Sequence, residues 1–151
     1  MSTGAWALVV AVAVALVFGA YRALTDGRFG GTHEVHGADV AAAPVPQSPS
    51  ADSVLAGTPW AADLGEQATL LQFSSAFCAP CRATRRILAD VASVTPGVAH
   101  IEVDAEHHLD VVRRLGILRT PTTLILDERG VEVTRATGAP AKQQVLAALS
   151  Q

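Results

Sequence analysis

Residues 77–88 read FCAPCRATRRIL and hold both cysteines of the chain, Cys78 and Cys81, with Ala79 and Pro80 between them. Two thiols at this spacing can hold a metal, close a structural disulfide or exchange electrons. The flanking sequence decides among these. Upstream, ATLLQFS (residues 68–74) is a compact apolar run of strand length. Downstream, Ile87, Leu88, Val91 and Val94 recur at helical intervals, as expected of a helix packed on a sheet. Pro80 falls in the first helical turn, where a missing N–H costs nothing. Cys78 is therefore expected at a helix N-terminus, where unpaired amides and the positive end of the dipole favour a thiolate. Cys81, one turn further on, shares its face and is placed to resolve a mixed disulfide.

The competing chemistries fit less well. Zinc takes four ligands, and the chain has no further cysteine. His107 and His108 are adjacent on an expected helix, so their side chains diverge by about 100°. A structural disulfide within one helical turn closes too small a loop to restrict the unfolded chain much. Redox exchange is the favoured reading, and a thiol-based metal chaperone is remote.

Working outward, VAHIEVD (98–104) alternates as a strand, and EHHLDVVRRLG (106–116) reads as a helix stopped by Gly116. TTLILD, the turn DERG and VEVTRAT (122–137) read as a hairpin, and APAKQQVLAALS (139–150) as a closing amphipathic helix. Residues 53–65 are expected to form a short, partly helical lead-in. The order βαβα then ββα implies a parallel pair joined by a crossover, followed by an antiparallel hairpin.

The N-terminal third differs in kind. Residues 2–21 carry no charge, with Trp6 and Tyr21 near the two ends. As a helix they would span about 30 Å, the thickness of a hydrocarbon core. No basic residue precedes the run, which argues for an uncleaved anchor over residues 2–24 rather than a signal peptide. Arg22 and Arg28 follow it, so the positive-inside bias places the remaining chain on the cytoplasmic face of the cell membrane, the extracytoplasmic face being the alternative. Residues 25–52 are rich in Gly, Ala, Pro and Ser and read as a flexible linker, with His33 and His36 too few to make a metal site. The net charge of −3 gives no reason to expect a nucleic-acid partner.

FCAPC between a strand and a helix, followed by GILRTPTTLIL (116–126), resembles the thioredoxin family, whose members carry Trp-Cys-Gly-Pro-Cys and a later Gly-Ile-x-x-x-Pro-Thr. The resemblance covers residues 53–151. It implies a thioredoxin-like α/β fold, a central mixed sheet flanked by helices, preceded here by the single expected transmembrane helix. It also implies that Pro121 is cis and that Thr120 and Pro121, with Phe77 and Pro80, form the surface that docks a substrate chain beside Cys78. Three departures stand out. Phe77 replaces the tryptophan, losing an indole N–H but keeping an aromatic wall over the site. Ala79 replaces the glycine between the cysteines. Gln72 stands where the family buries an aspartate that helps deprotonate the second thiol, and His100 stands where a lysine often pairs with it. Gln72 takes no proton, and His100 is expected to pack on its strand. Loss of a nearby negative charge favours the thiolate and a more oxidising couple.

These readings converge on a membrane-tethered thiol–disulfide oxidoreductase. Cys78 attacks, Cys81 resolves, no metal or cofactor is required, and the partners are protein thiol or disulfide clients and a redox partner protein. The alternative is a non-enzymatic tethered binding module that uses the same fold with incidental thiols. The intact pair argues against it.

Overall fold

The computed structural model describes residues 3–25, 29–31 and 53–150. Its elements are α1 (Thr3–Thr25), β1 (Phe29–Gly31), β2 (Ala68–Ser74), α2 (Ala79–Val94), β3 (Val98–Asp104), α3 (Leu109–Arg114), β4 (Thr122–Asp127), β5 (Glu132–Thr137) and α4 (Lys142–Leu149). Four strands follow the expected order. β2 pairs parallel to β3 and antiparallel to β4, and β4 continues into the antiparallel hairpin with β5.

β2 is the strand around which the domain is built. Six of its seven residues are buried, so it reads as an apolar run rather than an alternation. Leu71 and Phe73 enter one core with Leu55, Val103, Val111 and Leu124; Leu70 enters a second with Leu88, Val91, Ile125 and Val145. The sheet is thus covered on both faces, by α2 and α4 on one side and by α3 and the lead-in on the other. Full burial of a leucine or phenylalanine side chain contributes roughly 1.5–3 kcal/mol, so β2 anchors both layers.

Two expectations are adjusted by the packing. The face of α2 that meets the sheet starts earlier than its aliphatic residues suggest, with Cys81 and Thr84 buried alongside Leu88 and Val91. Val94 is 61% exposed, because the helix ends there and Thr95 turns the chain away. The lead-in forms no helix. It is a succession of turns, Ala56 N to Ser53 O, Thr58 N to Leu55 O and Asp63 N to Trp60 O, with Pro59 lacking a donor in the middle. These turns lower Leu55 and part of Trp60 onto the sheet.

α3 ends as expected at Gly116. The glycine adopts φ +63°, its N–H bonds to Arg113 O, and Ile117 N–H bonds to Val112 O, the paired bonds of a Schellman ending. The β4–β5 turn is held by Asp127, whose Oδ1 accepts from the amides of Arg129 and Val131.

The N-terminal region departs furthest from expectation. Three residues of the expected flexible linker form β1, which pairs antiparallel with β5 from Phe29↔Ala136 to Gly31↔Thr134. Among the described residues the sheet therefore has five strands in the order β1-β5-β4-β2-β3. His33 and His36 lie outside the described residues. α1 forms as a helix, and the side chains described on it, residues 6–21, are exposed throughout. Among the described residues no helix is long and apolar enough to cross a membrane, so the structure does not support the expected transmembrane anchor. The stretch 6–21 alone would span about 24 Å, short of a hydrocarbon core.

Candidate functional site at the Cys78–Cys81 pair

β2 ends at Ser74, and four residues later Cys78 caps α2. Its backbone is extended, φ −99° and ψ 99°, as a helix cap requires. Its sulfur accepts the N–H of Cys81 at 3.1 Å, taking the place of the oxygen that usually serves the third amide of a helix. Pro80 lies in the first turn, where it removes a donor that would have had no partner. The two cysteines are joined as a disulfide with Cα atoms 5.2 Å apart. They are not equivalent. Cys81 is 2% exposed, while Cys78 is half-buried at the helix tip. A partner sulfur reaches Cys78 first.

The second loop of the site is α3–β4. Thr120 and Pro121 are joined by a cis peptide bond, as the resemblance implies, and Pro121 is buried immediately before β4. Ser75 Oγ lies 3.0 Å from Thr120 Oγ1, which fastens this loop to the one carrying Cys78. Thr122 Oγ1 donates to Arg119 O and closes the loop on itself. Nothing in the local sequence pairs Ser75 with Thr120, which are 45 residues apart.

Phe77 does not build a wall. It is 99% exposed, standing out from the turn before the helix cap, and Leu118 on the facing loop is 95% exposed. Each of the two loops thus carries one large, exposed apolar side chain. Nothing in the sequence marks Leu118, where GIL reads simply as apolar.

Beneath Cys81 the structure places Gln72 and His100 together. Gln72 is fully buried. Its Nε2 donates to Ser74 Oγ at 2.7 Å and to the backbone oxygen of Cys81 at 3.0 Å, while its Oε1 lies 3.2 Å from His100 Nε2. His100 therefore does more than pack on its strand. Burial lowers its pKa, Glu102 opposes that shift, and Arg85 adds to it. Glu102, the register partner of Gln72 across β2–β3, is pushed up by burial but held below its ordinary value by hydrogen bonds from Arg85 and Ser74. Arg85 thus faces Glu102, at 2.7 Å, rather than the cysteines. Arg82 and Arg86 are exposed. A cleft of about 360 Å³ lies beside this cluster, bordered by Cys81, Arg82, Arg85 and Glu102.

His107 and His108 lie before α3 rather than on it, since the helix begins at Leu109 with His108 as its cap residue, and they part for that reason. His107 Nδ1 bonds Asp104, and that contact raises its pKa, whereas His108 stands edge-on to Trp60 with ring centroids 4.6 Å apart.

A parallel pair extended by a hairpin, a disulfide at a helix tip and a cis-proline loop fastened beside it define a protein of the thioredoxin fold. Residues 53–151 match the family model described as Thioredoxin, and the chain belongs to that family. It is 33% identical over 70 residues to a thioredoxin H-type of Fagopyrum esculentum, covering 46% of this chain and 60% of that protein. It is 30% identical over 82 residues to thioredoxin of Mycoplasma pneumoniae, covering 54% of this chain and 79% of that one. The chain thus spans less than two thirds of the length of the plant relative. Among solved structures, thioredoxin f from spinach chloroplast superposes with a TM-score of 0.51 at 26% identity, covering 58% of this chain and 78% of that one.

Proposed function

We propose that this protein is a thiol–disulfide oxidoreductase acting on protein clients through Cys78 and Cys81. The observation that carries the reading is the asymmetry of the pair: one sulfur at the helix tip within reach of a partner, the other buried one turn in. In the reducing direction the Cys78 thiolate attacks one sulfur of a client disulfide. That S–S bond breaks, a Cys78–client bond forms, and the displaced client thiolate takes a proton. The Cys81 thiolate then attacks the Cys78 sulfur, forming the Cys78–Cys81 disulfide and releasing the second client thiol. Two electrons have passed to the client, and a redox partner protein must restore the dithiol. The oxidising direction is the reverse sequence.

Thr120 and Pro121, with Phe77 and Pro80, form the docking surface in this reading. The Ser75–Thr120 contact and the exposure of Phe77 support it. The test is reduction of a disulfide peptide by the dithiol form. Wild-type protein turns it over and Cys78→Ser does not. Equal rates for the two would leave only a binding module.

The finer part of the proposal is a tether: residues 2–24 as a single-pass anchor in the cell membrane, with the redox domain on the cytoplasmic face. It is supported by the uncharged run 2–21, by the arginines at 22 and 28, and by the apolar side chains exposed along α1. The proposed span includes residues on either side of 6–21. Labelling with a membrane-impermeant maleimide after mild reduction tests it. Modification of Cys78 only in permeabilised cells is the expected result, and modification in intact cells places the domain outside.

A further inference from the structure

Gln72 Nε2 has two protons, and both are used, one on Ser74 Oγ and one on Cys81 O. The reversed amide would set Oε1 against the Cys81 carbonyl, acceptor against acceptor, so the orientation is fixed by its neighbours. Oε1 must then accept, and His100 must present Nε2–H to it. Ser74 Oγ, having accepted from Gln72, passes its own proton toward Glu102, which is held by Arg85. Arg85 stands one turn beyond Cys81 on α2. The contacts therefore close a ring: Cys81, Gln72, Ser74, Glu102, Arg85 and back along the helix to Cys81. His100 braces the ring at Gln72.

We infer that Gln72, held by His100, is a positioning residue for the resolving cysteine. This rests on the thiol-exchange reading above. The amide fixes the backbone of Cys81 at the first turn of α2 while adding no charge beside its sulfur. When Cys78 is joined to a client, Cys81 must hold its sulfur in line with the new S–S bond, and the carbonyl clamp limits how far that turn drifts. The Cys78 backbone is held by main-chain groups, its N–H on Ser75 O and its C=O under Arg82 N–H, both at 3.4 Å, so the Gln72 amide does not reach the attacking residue. The clamp thus acts on the second step of exchange and not on the first.

Rapid acid quenching of the dithiol protein mixed with a disulfide peptide separates the two steps, since the mixed disulfide appears with attack and decays with resolution. In Gln72→Met, of similar length but without donors, resolution is expected to slow about tenfold, with attack within about twofold of wild type. His100→Leu is expected to slow resolution by a smaller factor, and His100→Gln, which can still donate to Oε1, to restore it. If Gln72→Met does not fold, the His100 pair carries the same comparison. Attack and resolution falling together would make the contact merely structural and overturn the inference, as would unchanged resolution in Gln72→Met or His100→Leu. Wild-type protein that forms no mixed disulfide would instead sink the exchange reading, and the inference with it.

Discussion

Ser75 Oγ and Thr120 Oγ1 meet at 3.0 Å across 45 residues of chain, and this is the hydrogen bond by which the loop after β2 holds the loop before β4. A part-buried hydroxyl pair contributes on the order of 1 kcal/mol. Ser75→Ala is expected to lower the urea-unfolding free energy by about that amount and to raise KM for a disulfide peptide more than it lowers kcat. A KM equal to wild type would mean that the two loops keep their register without the bond.

The depth difference between the two sulfurs predicts different fates for their serine variants. With Cys81→Ser, the Cys78–client disulfide should accumulate and survive on a non-reducing gel. With Cys78→Ser, no such adduct should form, because Cys81 is 2% exposed. Adducts of equal yield from both variants would contradict this order of attack.

His100 has a folded-state pKa below its ordinary value, burial being the main cause. Well above the unfolded pKa of about 6.5 both states are neutral and the residue adds no pH dependence. As pH falls through that value the unfolded chain takes up a proton that the folded chain resists, so stability falls until the folded pKa is passed. Between about pH 7.5 and pH 5 the wild type should lose more stability than His100→Gln. Parallel losses in denaturant titrations at the two pH values would show that the imidazole is not the cause.

Gly116 isolates a backbone effect. Its φ is +63° and a Cβ there would meet nothing within 4 Å, so Gly116→Ala adds strain without a clash. The expected cost is about 1 kcal/mol, read as a lower urea midpoint with unchanged slope. A neutral result would indicate that α3 ends differently in solution.

Leu88 is fully buried between α2 and the sheet. Leu88→Ala should cost roughly 2–5 kcal/mol, against a fraction of that for Val94→Ala at the exposed end of the same helix. Similar costs at the two positions would contradict the face assigned to α2.

What the sequence reveals about this fold depends on how local the cause is. β2 and α2 are legible because a compact apolar run and the spacing of Leu88 and Val91 state their burial directly, although Val94 of the same stripe is exposed. The ending at Gly116 is equally local. Pro121 as a cis residue came from resemblance, since nothing within RTPT dictates the isomer. Phe-Gly-Gly at 29–31 has two glycines and little strand preference, and it becomes β1 only because β5 offers an open edge. Thr84 reads as polar yet is buried, since its turn of α2 lies over the sheet. The ring from Cys81 through Gln72, Ser74, Glu102 and Arg85 was beyond the sequence because its members sit on three elements. In the sequence Gln72 shows only as a missing carboxylate. The direction of its amide, and hence its hold on Cys81, is a fact of tertiary structure.

The pairing of β1 with β5 has a consequence for distance. Had residues 25–52 been a free chain, 28 residues would have separated α1 from the redox domain, and an unstructured chain of that length averages roughly 30 Å end to end and extends several-fold further. With Phe29 already in the sheet, only four peptide units lie between Thr25 and the domain, a maximum of about 15 Å. Wherever α1 is held, the sheet edge is held within a few residues' length of it. Cys78 then searches only a small volume around the end of α1.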